Sequence, residues 1–326
     1  MTTADPTRIV DLAIGYMGAK QLFAASRIGL FAALADGEKN AAEIAEATGV
    51  SERIARILAD GMSSQGLLTR TAGRYALEPD ARAYLTGASA ELDLGPFLTF
   101  LNQISYPHWL QFDGTVDSTE PGDLQMDDAR WGTFMAGVMT YNGLHAAMFA
   151  HALDTAGATR LLDLGGLAPY FSLEVMKRNP ALHTTFAFAP DFADSVRQAV
   201  ADAGVADRAE VTPADTATAR IEGPFDLVFA NHVIHRFTAE ENAGIFRNAR
   251  ASASAGARLV VLDFFLDDDP QQRAIDALHA AEYLVIDGTV VYPESEVRGW
   301  LEAAGWKPTG VVALPGSPRL LLAEAV

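Results

Sequence analysis

The chain of 326 residues contains no cysteine. It therefore has no disulfide framework and cannot use a thiolate as a nucleophile. The sequence also has no run near the ~20 uninterrupted apolar residues that a membrane-spanning helix needs. Its amino-terminal segment, MTTADPTRIVDL, lacks the basic and apolar regions of a secretory signal. Together these absences predict a cytoplasmic protein with no membrane partner.

Positive charge is also scarce. The chain has 24 lysine and arginine residues against 42 aspartate and glutamate residues, a formal net charge of −18. Nucleic acids and anionic membranes both bind basic surfaces, so this balance disfavours them as partners. What the sequence does have is apolar content. Hydrophobic residues make up 49% of it, enough for a sizeable core and two domains.

The amino-terminal part of the chain has the pattern of a winged helix. A helical spacing of apolar residues over 7–35 is followed by two short helices and then by two short strands at 67–70 and 74–77. A DNA-binding winged helix needs lysine and arginine on its second helix and wing. Here the arginines of the second helix are matched by acidic residues. We therefore predict a packing or dimerisation domain over residues 1–95.

A helical stretch rich in aromatic and methionine side chains covers residues 96–155, with a predicted surface loop over 113–128. Apolar ligand pockets are built from such side chains plus a few polar groups. We predict that this connector contributes to a pocket for a hydrophobic small molecule, and ordinary core packing is the alternative. The candidate pocket residues are Trp131, Phe134, Met135, Met139, Tyr141, Asn142 and His232.

From residue 159 onward, strand and helix patterns alternate, which predicts an α/β domain over 156–326 with a doubly wound, mostly parallel sheet. In such sheets the ligand binds beyond the carboxyl ends of the strands. The predicted strands are 160–164, 184–189, 208–212, 225–230, 258–263, 308–314 and 319–324, and the predicted helices are 170–178, 191–203, 239–252, 270–286 and 293–304.

The first of these strands ends in a glycine turn, within the segment LLDLGG at 161–166. The turn leads into a predicted helix and then into the second strand. Strand, glycine turn, helix and strand form a βαβ unit, and its first turn is where such folds bind a nucleotide-like ligand. This turn is therefore the first candidate for a binding site.

These segments together resemble the small-molecule O-methyltransferases that use S-adenosylmethionine. The resemblance is carried by GRYALEPDARAYL, LLDLGG, FANHVIHRF, ARLVVLDFFL and ESEVRGWLEAAGWKPTGVVALPG, and it extends from about residue 8 to the end of the chain. It implies a class I methyltransferase domain with a Rossmann-like sheet, preceded by a winged-helix dimerisation domain. It also implies a homodimer.

Part of the cofactor site that the resemblance implies is present in the sequence. Asp163 matches the acidic residue of the glycine-rich turn, and Gly165 and Gly166 match its first glycines. Asp215 matches the position near the adenine. These four residues are the candidate cofactor-binding residues.

Other cofactor positions depart from the family pattern. Leu167, Ala168 and Pro169 stand where a glycine, a small polar residue and another glycine are expected. Leucine adds bulk there, and proline fixes φ near about −65° and removes a hydrogen-bond donor. Phe188 stands where a carboxylate would bind the ribose hydroxyls, and a phenyl ring cannot accept their hydrogen bonds. Asp191 is the nearby alternative carboxylate.

The resemblance also implies a catalytic histidine, held between two acidic residues, that removes a proton from the substrate hydroxyl. His235 in HVIHRF matches this histidine, and Asp263 falls where one glutamate is usual. The second acidic position corresponds to Val290, with Glu294 as the nearby alternative. A structural histidine is the other interpretation of His235. His232, His235 and Asp263 could also form a metal site, but we expect no metal because the resemblance explains His235 without one.

Three functions follow from these observations. The first is S-adenosylmethionine-dependent O-methyl transfer with His235 as the general base. The second keeps the scaffold but not the cofactor, and performs acid/base-assisted cyclisation, elimination or rearrangement of a secondary metabolite. The third is a non-catalytic ligand-binding protein. Because the departures fall on the cofactor and catalytic positions while the fold-bearing segments are intact, the sequence favours the second. The expected cofactor is accordingly none, or S-adenosylmethionine at a degraded site.

Overall fold

The computed structural model describes residues 4–268 and 272–326. The first three residues of the predicted amino-terminal domain and the start of the predicted helix 270–286 lie outside these ranges. The chain forms two compact units. The first unit contains the residues up to 108 and residues 124–141, and the second contains residues 109–123 and the chain from 142 onward. The domain boundaries predicted at 95/96 and 155/156 stay predictions.

The first unit contains the predicted helices and wing. Asn40 and Glu43 form a capping box at the start of one helix, and Ser51 caps the next. The predicted helical run 7–35 is wrong in one respect, because the first helix ends at Arg27 and a second one begins at Leu30, after Gly29, whose φ of 76° suits glycine. The elements are α1 (Thr7–Arg27), α2 (Leu30–Ala33), β1 (Lys39–Asn40), α3 (Ala41–Thr48), α4 (Glu52–Ser64), β2 (Leu68–Thr71), β3 (Arg74–Leu77), α5 (Pro79–Leu85) and α6 (Gly95–Phe100).

The strands of the first unit form an antiparallel sheet in the order β1-β3-β2. Its core is apolar and includes Leu30, Phe31 and Met62, which are fully enclosed. Tyr75 is buried with them and donates its hydroxyl hydrogen bond to Asp60 at 2.6 Å. The wing is thus fastened to α4 by a polar contact at the edge of an apolar core.

The central helices follow α6 through a short π-helical turn, Leu101–Ser105. They are α7 (Tyr106–Trp109), α8 (Phe112–Ser118) and α9 (Asp128–Ala152). The prediction of a loop over 113–128 is wrong for its first part, where α8 forms. Gly114 and the neighbouring aspartates disfavour a helix locally, but α8 packs against the helix at 274–287 and buries Thr115. Tertiary packing overrides weak propensity here.

The second unit is built on a seven-stranded sheet, and the predicted doubly wound α/β fold is confirmed. The strand predicted at 258–263 begins earlier, at Ala253, and a short 3-10 turn, Pro190–Phe192, replaces the start of the predicted helix 191–203. The elements are β4 (Arg160–Asp163), α10 (Tyr170–Arg178), β5 (His183–Phe188), α11 (Ala193–Asp202), β6 (Ala209–Pro213), β7 (Phe225–Asn231), α12 (Ala239–Ser252), β8 (Ala253–Asp263), α13 (Ala274–Asp287), α14 (Glu294–Ala303), β9 (Trp306–Ala313) and β10 (Arg319–Ala325).

The strand order is β6-β5-β4-β7-β8-β10-β9. The first five strands of this order are parallel, and β10 runs antiparallel to both of its neighbours. Apolar clusters cover both faces of the sheet, as a parallel sheet with helices on each side requires. The chain leaves β4 towards β5 on one side, whereas β7 lies on the other. This switch point places the ends of β4, β7 and β8 at one crevice.

None of the described helices is both long enough and apolar enough to cross a bilayer.

Candidate active site

A histidine–carboxylate pair lies at the carboxyl edge of the sheet. His235 sits in a short 3-10 turn directly after β7, and Asp263 ends β8. Nδ1 of His235 is 2.9 Å from Oδ2 of Asp263. Burial by itself raises the pKa of Asp263, but the imidazole and the backbone N–H of Phe264 outweigh it and hold the pKa below its usual value. Asp263 is therefore a carboxylate, and it orients the ring.

The ring of His235 faces aromatic residues of α13. The ring centroids of His235 and Tyr283 are 4.6 Å apart. One turn earlier, His279 stacks on Phe264 with the centroids 3.7 Å apart. Burial lowers the pKa of His279 to about 4, so this imidazole is neutral at pH 7. The pair His235–Asp263 thus lies against a mostly apolar wall, in which electrostatic contacts are strengthened.

A second imidazole pair, His145 and His232, was missed by sequence reasoning. Nδ1 of His145 in α9 lies 3.2 Å from Nε2 of His232, and both residues are buried. Burial lowers the pKa of His232 to about 4 and that of His145 well below its usual value. Sequence alone gave no signal for His145, because a histidine within an apolar helix has no partner that can be identified from spacing. His232, which the sequence predicts to line the substrate pocket, lies beside the catalytic candidate His235 with the ring centroids 6.1 Å apart, and its place in a pocket stays a prediction.

His232, His235 and Asp263 are close enough together to be compared with a metal site. One ring nitrogen of each histidine and one carboxylate oxygen lie within 4.8 Å of one another. The hydrogen bonds to His145 and from His235 to Asp263 already explain how these side chains are held. The expectation of a metal-free site remains a prediction.

The two glycines of the turn are required by close backbone packing. Gly165 has φ +93°, and a Cβ on it would lie 2.9 Å from the carbonyl oxygen of Ala187. Gly166 has φ +136°, and a Cβ there would lie 2.8 Å from the carbonyl oxygen of Asn231. The glycines therefore let the turn pass between the ends of β5 and β7.

Asp163 is buried and its carboxylate is bonded within the turn. Oδ1 accepts from the backbone N–H of Gly165 at 3.1 Å, and Oδ2 accepts from the hydroxyl of Ser172 at 2.6 Å. Burial is the main influence on this group, and it raises the pKa of Asp163 to about 7 in spite of both hydrogen bonds. The side chain organises the turn and the start of α10.

The residues that depart from the family pattern follow β4 or end β5, at the carboxyl edge of the sheet. Ala168 and Pro169 are buried, and Pro169 stands at the amino-terminal cap of α10. Phe188, the last residue of β5, has no exposed surface and packs with Phe186 in the core, at a centroid distance of 6.2 Å. Of these side chains, Leu167 is the partly exposed one. The end of β5 therefore carries a phenyl ring that is fully buried in the core.

The polar groups near these positions differ in burial and in hydrogen bonding. Asp191 and Asp215 are exposed, and the carboxylate of Asp215 accepts from the backbone N–H of Ala217 at 2.9 Å. Asn231, at the end of β7, is 2% exposed, and neither atom of its amide has a hydrogen-bond partner among the described residues. Buried amides are almost always satisfied, so Asn231 is a polar group that a ligand could satisfy.

The second acidic position of the family is not filled by a carboxylate. The backbone N–H of Val290 donates to the carbonyl oxygen of His235 at 3.3 Å, so the chain passes the histidine at the expected place. The nearby alternative, Glu294, pairs instead with Arg298 at 2.8 Å and Arg319 at 3.3 Å. The acidic partner that the structure places on the His235 ring is Asp263.

The remaining candidate pocket residues fall into two sets. The residues up to 141 lie in the part of α9 that belongs to the first unit, whereas Asn142 belongs to the second unit and is buried. Trp131 is 50% exposed. The pocket itself remains a prediction. The residues of the first set are Trp131, Phe134, Met135, Met139 and Tyr141.

Two family models match the chain. An O-methyltransferase dimerisation domain matches residues 10–87, and an O-methyltransferase domain matches residues 120–307. A curated relative, the 3-hydroxy-5-methyl-1-naphthoate 3-O-methyltransferase of Streptomyces sahachiroi, is 28% identical over 96% of this chain and 93% of its own length.

Solved structures show the same fold. The S-adenosylmethionine-dependent methyltransferase SibL in its apo form has a TM-score of 0.87 at 22% identity, covering 98% of this chain and 99% of SibL. CalO1, a methyltransferase of calicheamicin biosynthesis in its SAH-bound form, has a TM-score of 0.86 at 19% identity, covering 99% of this chain and 100% of CalO1. At these identities the likeness concerns the fold.

Proposed function

We propose, from the premise that this chain belongs to the O-methyltransferase family, that it is a small-molecule enzyme that transfers protons rather than methyl groups. Its substrate is a hydrophobic secondary metabolite, and its reaction is a cyclisation, elimination or rearrangement assisted by His235 and Asp263. The observation that carries the proposal is Phe188. The cofactor's ribose needs hydrogen-bond acceptors at this strand end, and an enclosed phenyl ring has none.

Two neighbouring features agree with Phe188. Both carboxylate oxygens of Asp163 are used by Gly165 and Ser172. Pro169 removes a backbone donor at the start of α10, where the methionine part of the cofactor would approach. S-adenosylmethionine therefore does not fit these residues.

The proton chemistry follows from the His235–Asp263 pair. Asp263 accepts from Nδ1–H of His235, so Nε2 is the nitrogen that can take a proton from the substrate. The carboxylate then stabilises the imidazolium that forms. The aromatic rings of α13 beside the pair favour an apolar substrate. The naphthoate named for the relative from Streptomyces sahachiroi supports a planar aromatic substrate class for this chain as well.

The second candidate function is S-adenosylmethionine-dependent O-methyl transfer with His235 as the general base. One observation favours it. The unpartnered amide of Asn231, beside the retained Gly166, is the kind of buried polar group that a bound ligand satisfies.

Calorimetric titration with S-adenosylmethionine and S-adenosylhomocysteine separates the two functions. We expect no binding of either at millimolar concentration, and no shift of the thermal unfolding midpoint. Micromolar binding, abolished by Gly166→Ala in protein that remains folded, would establish the second function and overturn the first.

We also propose a homodimer formed through the first unit, in keeping with its dimerisation domain. Helix α1 exposes large apolar side chains, Ile9 at 75% and Leu12 at 83% among them. Exposed apolar surface of this kind marks an interface. Light scattering should give twice the mass of one chain, and Leu12→Lys should lower it. A monomeric wild-type protein would contradict the assembly.

A further inference from the structure

Beside the His235–Asp263 pair lies a group that neither the family pattern nor the proposed function uses. His232 is 8% exposed, and its Nε2 contacts Nδ1 of His145 at 3.2 Å. No hydrogen bond to its Nδ1 is present among the described residues. One ring nitrogen of His232 lies within 4.8 Å of a ring nitrogen of His235 and a carboxylate oxygen of Asp263. Two imidazoles of different environment thus lie next to each other at the strand ends.

The backbone of His232 is strained. Its φ is +52°, in the left-handed region that non-glycine residues rarely adopt. Such a conformation is unfavourable and persists where the surroundings fix it. Here the backbone N–H of His232 donates to the carbonyl oxygen of Leu262 at 2.8 Å, one residue before Asp263. The same strand end therefore fixes both His232 and the carboxylate.

We propose that His232 donates a hydrogen bond to a carbonyl oxygen of the substrate, and that the substrate is therefore an enolisable carbonyl compound. His145 is a positioning residue. If Nδ1–H of His145 donates to Nε2 of His232, the single proton of the neutral His232 ring is on Nδ1. This inference rests on the proposed function, because it assigns the partner of the base His235.

The chemistry balances without any further reagent. Nε2 of His235 takes the hydrogen next to the carbonyl as a proton. The electron pair of the C–H bond becomes the C=C bond of an enolate, and the π pair of the carbonyl moves onto oxygen, where Nδ1–H of His232 stabilises it. His235 then returns the proton to another carbon or to a leaving group. The step is redox-neutral, and a neutral imidazole beside a separate base is a known arrangement for it.

The first test is the tautomer of His232. The chain has seven histidines, so their side-chain ¹⁵N–¹H correlations can be assigned by single substitutions. We expect His232 to be neutral and protonated on Nδ1 above about pH 5, since its pKa is about 4. In His145→Phe, the His232 ring should no longer be held in the Nδ1-protonated tautomer. His145→Asn should keep it, because the amide can donate from nearly the same place. Protonation on Nε2, or a cationic His232 at pH 6–7, would overturn the proposal.

The second test uses a defined probe, 2-acetonaphthone labelled with ¹³C at the carbonyl. With wild-type protein we expect a downfield shift of the carbonyl signal and exchange of the methyl hydrogens in D₂O. His232→Gly keeps the strained backbone without cost, because glycine accepts a φ of +52°. It should abolish the shift and lower the exchange rate about 10²–10³-fold. Added imidazole should restore part of both. His151→Gln, on an exposed part of α9, is the matched control.

The two proposals fail in different ways in this experiment. A carbonyl shift without exchange would support the role of His232 and contradict the proton-transfer function. Exchange that depends on His235, with no carbonyl shift and no loss in His232→Gly, would support the function and overturn the role of His232. No shift with the wild-type protein also overturns it.

Discussion

Nδ1 of His235 lies 2.9 Å from Oδ2 and 3.1 Å from Oδ1 of Asp263, so both oxygens of this carboxylate are within hydrogen-bond distance of the same ring nitrogen. The two residues are 28 positions apart in sequence, and they meet because β7 and β8 are neighbouring parallel strands. A carboxylate in this place fixes the tautomer of the base and stabilises its charged form. The pair is the chemical centre of the crevice.

Asp263→Asn should remove that function without changing the shape of the side chain. An asparagine can donate to Nδ1 and so place the imidazole in the wrong tautomer. We expect exchange of the methyl hydrogens of 2-acetonaphthone to fall about 10²–10⁴-fold. Asp268→Asn, at an exposed position of the following loop, should change the rate little. A rate for Asp263→Asn close to that of the wild type would rule out the pair as the catalytic unit.

Gly166→Ala should destabilise the protein. The added Cβ would lie 2.8 Å from the carbonyl oxygen of Asn231 in a backbone with φ +136°. We expect a loss of about 2–4 kcal/mol in the free energy of unfolding, measured by chemical denaturation. Gly299→Ala is the control, because Gly299 lies in α14 with nothing within 4 Å of its Cβ position. Gly299→Ala should raise the free energy of unfolding by about 0.5–1 kcal/mol. Equal effects would contradict the packing argument.

The buried Asp163 should make stability fall as pH rises. Its pKa is raised from 3.8 to about 7 by burial, so the folded state binds the proton more tightly than the unfolded chain does. This contribution is fully present below pH 3.8 and is lost as pH rises through about 7. Asp163→Asn keeps the shape and cannot ionise. As pH rises from 3.8 to about 7, the wild type should therefore lose unfolding free energy relative to the variant. A difference between the two proteins that stays constant over this range would contradict the raised pKa.

His279 should act in the opposite direction. Burial lowers its pKa from 6.5 to about 4, so the unfolded chain binds the proton first as pH falls. The stability it contributes is present above pH 6.5 and is lost as pH falls through about 4. His279→Phe keeps an aromatic ring against Phe264 but cannot bind a proton. Its free energy of unfolding should therefore fall less than that of the wild type as pH is lowered from 6.5 to about 4. Thermal unfolding at several pH values measures the difference, and His183→Phe, at an exposed position, serves as the control.

Arg319 should be important for the stability of the second unit. Its guanidinium is 2.6 Å from Asp267 and 3.5 Å from the fully buried Asp276. Arg319→Met would remove an ionic partner from both carboxylates and leave Asp276 with Arg273 alone, at 3.2 Å, and we expect it to cost about 3–5 kcal/mol in chemical denaturation. Arg197→Met, which removes an exposed pair with Asp194, should cost less than about 1 kcal/mol. Similar losses for both variants would contradict the importance of burial.

Much of the fold followed from local pattern. The alternation after residue 159 predicted the doubly wound sheet because strand and helix periods differ, and the helices and wing of the first unit followed from capping residues and turns. The glycine turn was identified because the first turn of a βαβ unit is where such folds bind a ligand, and the resemblance to the O-methyltransferases identified His235 and Asp263. The helix α8 was missed, since its stability comes from packing against α13 rather than from its own residues.

The sequence by itself determined the elements, the edge of the sheet that carries chemistry, and the residues that depart from the family pattern. Only the tertiary structure decided which side chains meet there. It placed His145 of α9 on His232, enclosed Phe188 in the core, and paired Glu294 with arginines rather than with His235. The physical reason is that periodicity reports which face of an element is buried, whereas a hydrogen bond between distant elements depends on how they pack.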